Sequence, residues 1–499
     1  MSKLKSLYTF HPVVILLCGL VIAQIIGTTQ VYLSNLQLYN TLSRINSAGY
    51  LAIPNKLVMG GLRDLAPAFW GGFFFSFTIG AGVSLAAMAA SWLWVRIFWR
   101  SRPAFIVFQL MWAGFLVLLN RRGFCLMPSL YFLLIWPTVY ALMAKREIAG
   151  RQSNRWRTLV NLIPLPLLAL LWFTQLNGDM FLDLRDNLLL SNLLGRKFSN
   201  FYYTYTLYPA EAFKSLNQKL IKTSALNDIR NRSIEIRLGR ILINNDYLPL
   251  NDAAAVDVVI HQKNDRLVFE SDGNQILEVS ANQFLSDPRS ILNRFSEKTD
   301  RHAVFRQLTF LSILMGFPLL LYTCLHAVFY CLARIIMQPK SALLTASGIC
   351  LLMGIMVLVY FQLNRSSSIQ LQNIAGALQS DRWQIRLAAL KLIERKKLDI
   401  ADYAEYRPLL NGGTPQERYW LAKALAFSRR PEAFTMLLQL LQDRNLNVRT
   451  MALYSLGLRK DPQAVEPILK QIEKSQEWYC QMYAYKALRS LGWKQTKSR

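Results

Sequence analysis

The residues best spaced to do chemistry are three carboxylates, Asp179, Asp183 and Asp186, in the run GDMFLDLRDNLLLSN. At i, i+4 and i+7 they would share one face of a helix, an arrangement that suits acid catalysis or cation binding. Their surroundings argue for a plainer use. The run has no glycine-containing calcium loop and no nearby histidine, and Arg185 stands among the acids. A solvated helix face is the expected reading. His261 has acidic neighbours such as Asp257 but no Ser or Cys nucleophile signature, and reads as a surface histidine. The six cysteines form no CxxC pair and no Cys/His cluster, so a metal site or thiol redox chemistry is not expected. No catalytic, cofactor-binding or metal-ligating residue is assigned, and no cofactor is expected.

The elements that carry these residues are set by long apolar runs. The 499-residue chain is 53% hydrophobic, and a run of about 20 apolar residues matches the hydrocarbon thickness of a bilayer. Seven spans are expected, and with them the lipid bilayer as a partner: His11–Val31 as an uncleaved signal anchor, Ala68–Phe98, Pro103–Leu119, Gly123–Ala144, Leu159–Leu176, Leu308–Ile336 and Ala342–Leu363. A polar segment, roughly Ser34 to Pro67, should join the first two. The second span is rich in small residues, among them Gly71, Gly72, Gly80, Gly82 and Ser84, which let helices approach closely in lipid. His326, Gln24, Gln109 and Asn161 read as polar glue between helices. The formal charge of +27 comes without a recognition motif, which argues against nucleic acid. Much of it flanks the spans, where Lys and Arg orient insertion.

One set of short loops carries Lys3, Lys5, Arg96, Arg100, Arg102, Lys145, Arg146, Arg151, Arg155, Arg157, Arg334 and Lys340. The opposite set carries Arg44, Lys56, Arg63, Arg121 and Arg122. The richer set should be cytoplasmic. This predicts a bacterial inner-membrane protein with its N-terminus inside and, after seven crossings, its central segment and tail outside. The expected units are 1–176 with five spans, 177–303 as an α+β extracytoplasmic insert, 304–365 with two spans, and 366–499 as a helical tail.

Within the insert, Phe201, Tyr202, Tyr203, Tyr205 and Tyr208 form the most aromatic stretch outside the spans. They could serve as a domain core, an aromatic belt at the membrane interface, or a candidate partner surface. A helix should start at Pro209. From Ser233 onward, SIEIRL, ILINNDYLPL, VDVVIHQ, RLVFES and QILEVS alternate or run apolar, and predict a β-meander.

The tail repeats. QIRLAALKL around Arg386, ERYWLAKAL around Arg418, VRTMALYSL around Arg449 and CQMYAYKAL around Gln481 can be superposed, with anchors 32, 31 and 32 residues apart. Such a period marks stacked supersecondary units. Two positions of each block should pack against the next helix: Ala389, Leu421, Ala452 and Ala484, then Ile393, Leu425, Leu456 and Leu488. Second helices should follow from Pro431 and Pro462. These blocks resemble HEAT repeats, in particular the short kind of the phycobilisome lyases. The resemblance implies an α-solenoid that binds a protein partner, with Asp381, Arg386, Arg418, Asp443 and Arg449 as structural repeat anchors; it implies no reaction. The expected whole is a polytopic helical membrane protein with an α+β insert and a C-terminal α-solenoid, acting as a non-enzymatic scaffold. A transporter or channel component, or a membrane enzyme acting on lipid or glycan through Asp179, Asp183, Asp186 or His261, is the alternative.

Overall fold

The computed structural model describes residues 12–149, 163–175, 178–229, 232–251, 256–264, 266–365 and 369–497. Among these, six helices are long and apolar enough to cross a membrane: α1 (Pro12–Ser47), α2 (Leu65–Arg96), α3 (Arg102–Asn120), α4 (Leu126–Ile148) and two after the insert, Ala303–Ile336 and Pro339–Asn364. Two expectations change. The segment from Ser34 is not a polar linker, because α1 continues unbroken to Ser47 and buries Asn35, Leu42 and Ile45. The expected fifth span is represented by α5 (Pro164–Phe173), whose ten residues reach about 15 Å, half the hydrocarbon thickness. Residues 159–162 and 176 lie outside the described residues, as do Lys3, Lys5, Arg151, Arg155, Arg157 and Asn161.

Small residues hold the bundle together, as their spacing predicts. A Cβ on Gly80 would stand 2.4 Å from the Ala23 Cβ, and one on Gly72 2.8 Å from the Thr28 amide nitrogen. Gln24 on α1 donates to the Phe69 carbonyl at 2.8 Å and accepts from Ser76 Oγ at 2.7 Å. His326 meets Ser347 at 3.2 Å across the last two long helices. These are the glue contacts expected of isolated polar groups in an apolar bundle.

The insert begins with α6, in which Met180–Leu184 runs into a π turn, Arg185–Leu189. Next come α7 (Leu193–Tyr205), β1 (Lys222–Asn227), α8 (Arg232–Asn244), β2 (Tyr247–Pro249), β3 (Val258–Lys263), β4 (Arg266–Ser271), β5 (Asn274–Ser280) and α9 (Pro288–Thr299). The sheet order is β2-β1-β3-β4-β5. Strands β3 to β5 form the antiparallel meander, but β1 pairs in parallel with both β2 and β3. Parallel pairing of β1 and β2 needs a crossover, and α8 supplies it. Here SIEIRLGRILIN is a helix rather than two strands. Ile234, Leu238, Ile241 and Leu242 fall at i, i+4, i+7 and i+8 and face the sheet core, while Ile236 is exposed. The helix expected to start at Pro209 is also corrected, since the short helix Leu207–Glu211 has Pro209 in its middle and ends two residues later.

Asp257 ties the first strands together: it accepts from Lys219 Nζ at 2.7 Å, the Thr223 amide at 2.8 Å and Thr223 Oγ1 at 3.1 Å. Burial alone would raise its pKa, but Lys219 and Thr223 outweigh burial and hold the carboxyl below the usual range. A depressed folded pKa contributes stability above the unfolded value of about 3.9 and loses it as pH falls through the folded value. Asp257→Asn is therefore expected to lower stability near neutrality and to flatten the acid limb below about pH 4. Amide exchange in β1 and β3 against pH is the measurement.

After the insert come α10 (Ala303–Ile336) and α11 (Pro339–Asn364), and then the tail. Its first helices are α12 (Trp383–Lys396), α13 (Pro415–Leu425), α15 (Leu446–Arg459) and α17 (Trp478–Ser490). The second helices are α14 (Pro431–Leu440) and α16 (Val465–Lys474). All eight positions predicted to pack between repeats are fully buried.

Candidate functional site

The anchor residues form a ladder. Arg386 Nε donates to Glu417 at 2.7 Å, Arg418 Nε to Asp443, and Arg449 Nη2 to Glu477. Each guanidinium thus reaches the acid opening the next repeat. Each also donates to a carbonyl ahead of its own helix: Ser380, Gly413 and Asp443. Charge-assisted contacts of this kind hold successive helix starts side by side. Asp381 does not take the anchoring role assigned to it: it is exposed, and Arg386 pairs with Glu417, which is fully buried and also closes a capping box with Thr414. Glu417 satisfies two duties from inside the next helix, so the acid need not come first.

The fourth unit, without an arginine, explains its own exception. Gln481 Nε2 donates to the Ser475 carbonyl at 2.7 Å, repeating the inner contact of the ladder. Its outer contact turns to the loop after α1. Gln481 Oε1 accepts from the Asn55 amide at 2.8 Å, and Gln481 Nε2 donates to Asn55 Oδ1 at 2.8 Å. Asn55 Nδ2 donates to the Ile472 carbonyl at 2.7 Å, and Gln495 makes paired bonds with the Leu51 backbone. Asn55 therefore stands where a fifth repeat would begin. A glutamine both donates and accepts, whereas an arginine only donates.

The other end of the stack is fixed by the three-carboxylate run. Asp183 and Asp186 are not on a solvated face, which corrects that expectation. Asp186 is fully buried, accepts from Arg185 Nη2 at 2.6 Å and Trp420 Nε1 at 2.8 Å, and pairs with Lys391 Nζ at 3.2 Å. Asp183 accepts from the same lysine at 3.2 Å, while Asp179 is exposed. The Arg185 guanidinium lies 3.7 Å from the Tyr419 ring centroid, and Lys423 Nζ lies 4.2 Å from that of Trp420. Burial would lower the Arg185 pKa, but Asp186 and Tyr419 raise it, so the group stays charged. With their charges paired, these acids serve as a weld between α6 and the first two repeats.

The aromatic stretch divides. Tyr208 is buried and meets Trp478 edge-on at 5.2 Å, and Tyr203 packs on Tyr479 at 4.8 Å, joining insert to tail. Phe201 and Tyr205 lie against Trp70 of α2, at 5.4 and 6.1 Å. Phe201 and Tyr202 remain exposed. On α17, Tyr485 donates to Asp246 at 2.7 Å and Arg489 pairs with it at 2.9 Å. His261 on β3 is partly exposed, 3.2 Å from Glu270 and 3.6 Å from Asp228, remote in sequence and contact from the carboxylate weld.

Asn55, Lys391 and Trp420 were not selected from the sequence, and Gln481 was aligned there as a repeat anchor without a partner assigned. Only Gln481 left a signal, as the one anchor that breaks the repeat.

Residues 404–489 match the family model for HEAT repeats, and the C-terminal region is a HEAT-repeat region. Comparisons with curated proteins and with solved structures give no match.

Proposed function

We propose that this chain is a membrane-embedded, non-enzymatic scaffold or assembly factor whose HEAT repeats and insert dock a protein partner. The observation that carries the reading is the double fixation of the stack, at α12 and α13 by Asp186 and at α17 by Asn55. A repeat array bonded at both ends to the unit that anchors it presents its remaining surface in one orientation, which is what a docking platform requires. The six apolar helices would place the bundle in a bilayer. The stack meets the bundle through the loop after α1, at the opposite end of that helix from Pro12, which supports an extracytoplasmic platform on a bacterial inner membrane.

The test is affinity purification of the full chain in mild detergent, followed by mass spectrometry, beside a chain lacking 369–497. The expected result is a stoichiometric protein partner that is lost with the deletion. A chain that retains no partner, or retains the same partner without its repeats, overturns the reading.

A further inference from the structure

The turns that follow the first helices of the repeats lie along one edge of the stack. Four bonds establish this. The Arg429 amide donates to Asp399 at 3.0 Å, Arg459 donates to the carbonyls of Leu425 and Ser428, and Ser490 Oγ donates to the Gly457 carbonyl at 3.0 Å. This edge carries exposed Lys396 at the end of α12 and Lys397 after it, Arg429 and Arg430 after α13, Lys460 after α15 and Lys494 after α17. Among the described residues, none of these six side chains forms an ion pair, although Lys397 Nζ lies 6.0 Å from the Phe427 ring centroid. Asp402 and Glu432 nearby are exposed, whereas the two acids of the turns themselves are held by backbone amides. Asp399 accepts from the Ala401 and Arg429 amides and Asp461 from the Gln463 amide, each at 3.0 Å.

Cations near helix ends stabilise the dipole, and that accounts for basic residues in the last turn itself. It does not account for Lys397 and Lys460. Both cap a helix C-terminus with φ +54°, in the left-handed region where glycine is favoured and a β-carbon is penalised. Two repeats place the same charged side chain at the same strained position.

At α17 the edge lies beside the loop after α1, at the far end of the helix from its contact with α2. The first turn of α17 sits on Tyr208, which flanks Gly71 of α2, while the segment after α17 reaches Leu51 through Gln495. Val31 of α1 touches the level of Gly71, and from there α1 rises 16 residues to Ser47, about 24 Å. Neighbouring helices stack about 10 Å apart, the advance of about three residues of extended chain.

From these features we infer that the turn edge of the repeats docks an acidic protein segment, with carboxylates spaced at about three residues. This rests on the scaffold reading and names the partner chemistry of its platform.

The test uses the full chain in nanodiscs of zwitterionic lipid and a labelled peptide of about 15 residues, Glu at every third position, which spans about 50 Å when extended. The expected result is saturable binding that weakens several-fold as salt rises past about 0.15 M, where charges are screened within about 8 Å. Lys397→Gly/Lys460→Gly should weaken it at least tenfold while thermal stability holds or rises. Arg237→Gln/Arg240→Gln on α8 should leave binding unchanged. Equal binding of the Gln-for-Glu peptide, retained affinity in the double glycine variant, or tighter binding of a length-matched oligonucleotide or of anionic vesicles overturns the inference. A purified partner that the glycine variant still holds would overturn this edge and leave the scaffold standing; absence of any partner removes the scaffold itself.

Discussion

Asp186→Ala is expected to detach the first two repeats from the insert and to lower stability by about 3–5 kcal/mol. Asp186 is fully buried and shared by Arg185, Lys391 and Trp420. Its removal leaves a nearly buried guanidinium facing an ammonium, with Asp183 as the remaining carboxylate partner of Lys391. Breaking one member of a buried pair costs more than the pair contributes, because the survivor keeps its desolvation penalty. Asp186→Asn, which keeps a carbonyl for Trp420 but removes the charge, should fall between the wild type and alanine. Thermal unfolding in detergent gives the magnitude, and amide exchange across α6, α12 and α13 gives the place. Protection of α12 that survives in the alanine variant would refute the weld.

Gln481→Arg is expected to destabilise the chain although it restores the arginine of the other three units. Arginine can still reach the Ser475 carbonyl, but it offers no acceptor for the Asn55 amide. A buried donor left unmet costs about 1–3 kcal/mol, and the longer side chain would displace the 50–57 loop. Enhanced protease cleavage between Tyr50 and Lys56, with α17 losing protection at the same time, is the expected signature. A variant as stable as the wild type would show that the loop is a bystander.

The repeats were legible because their period is written in local sequence: small and branched residues recur at fixed offsets, and all eight fall in the core. The small-residue packing of α2 was legible for the same reason. The weld was not. Asp186 and Trp420 are 234 positions apart, and a one-dimensional reading sees three acids and an arginine without the lysine and indole that convert a wet face into a buried one. Helix α8 was misread because Ile234, Ile236 and Leu238 alternate as a strand would, while Leu238 and Leu242 also satisfy a helical spacing; short β-branched runs fit both periods. The end of the second helix was ambiguous in another way, since Phe98 lies beyond Arg96 by only two residues, within the fraying of any helix terminus. Asp381 failed as an anchor because the family pattern fixes a charge near the helix start, and Glu417 answers that need from the neighbouring helix.

The bond between Asn55 and Gln481 joins residues 426 positions apart, and this sets an order of events during synthesis. The loop after α1 leaves the ribosome early, yet its partner arrives only after the bundle, the insert and three repeats have been made. Until then the loop has no seat and the growing solenoid has an open edge. Closing so long a loop is a late and slow step, since its entropy is lost before the contacts form. A ribosome that stalls within the repeats would therefore release a chain whose bundle is inserted but whose loop near Asn55 is loose, open to membrane proteases that a finished chain would withstand.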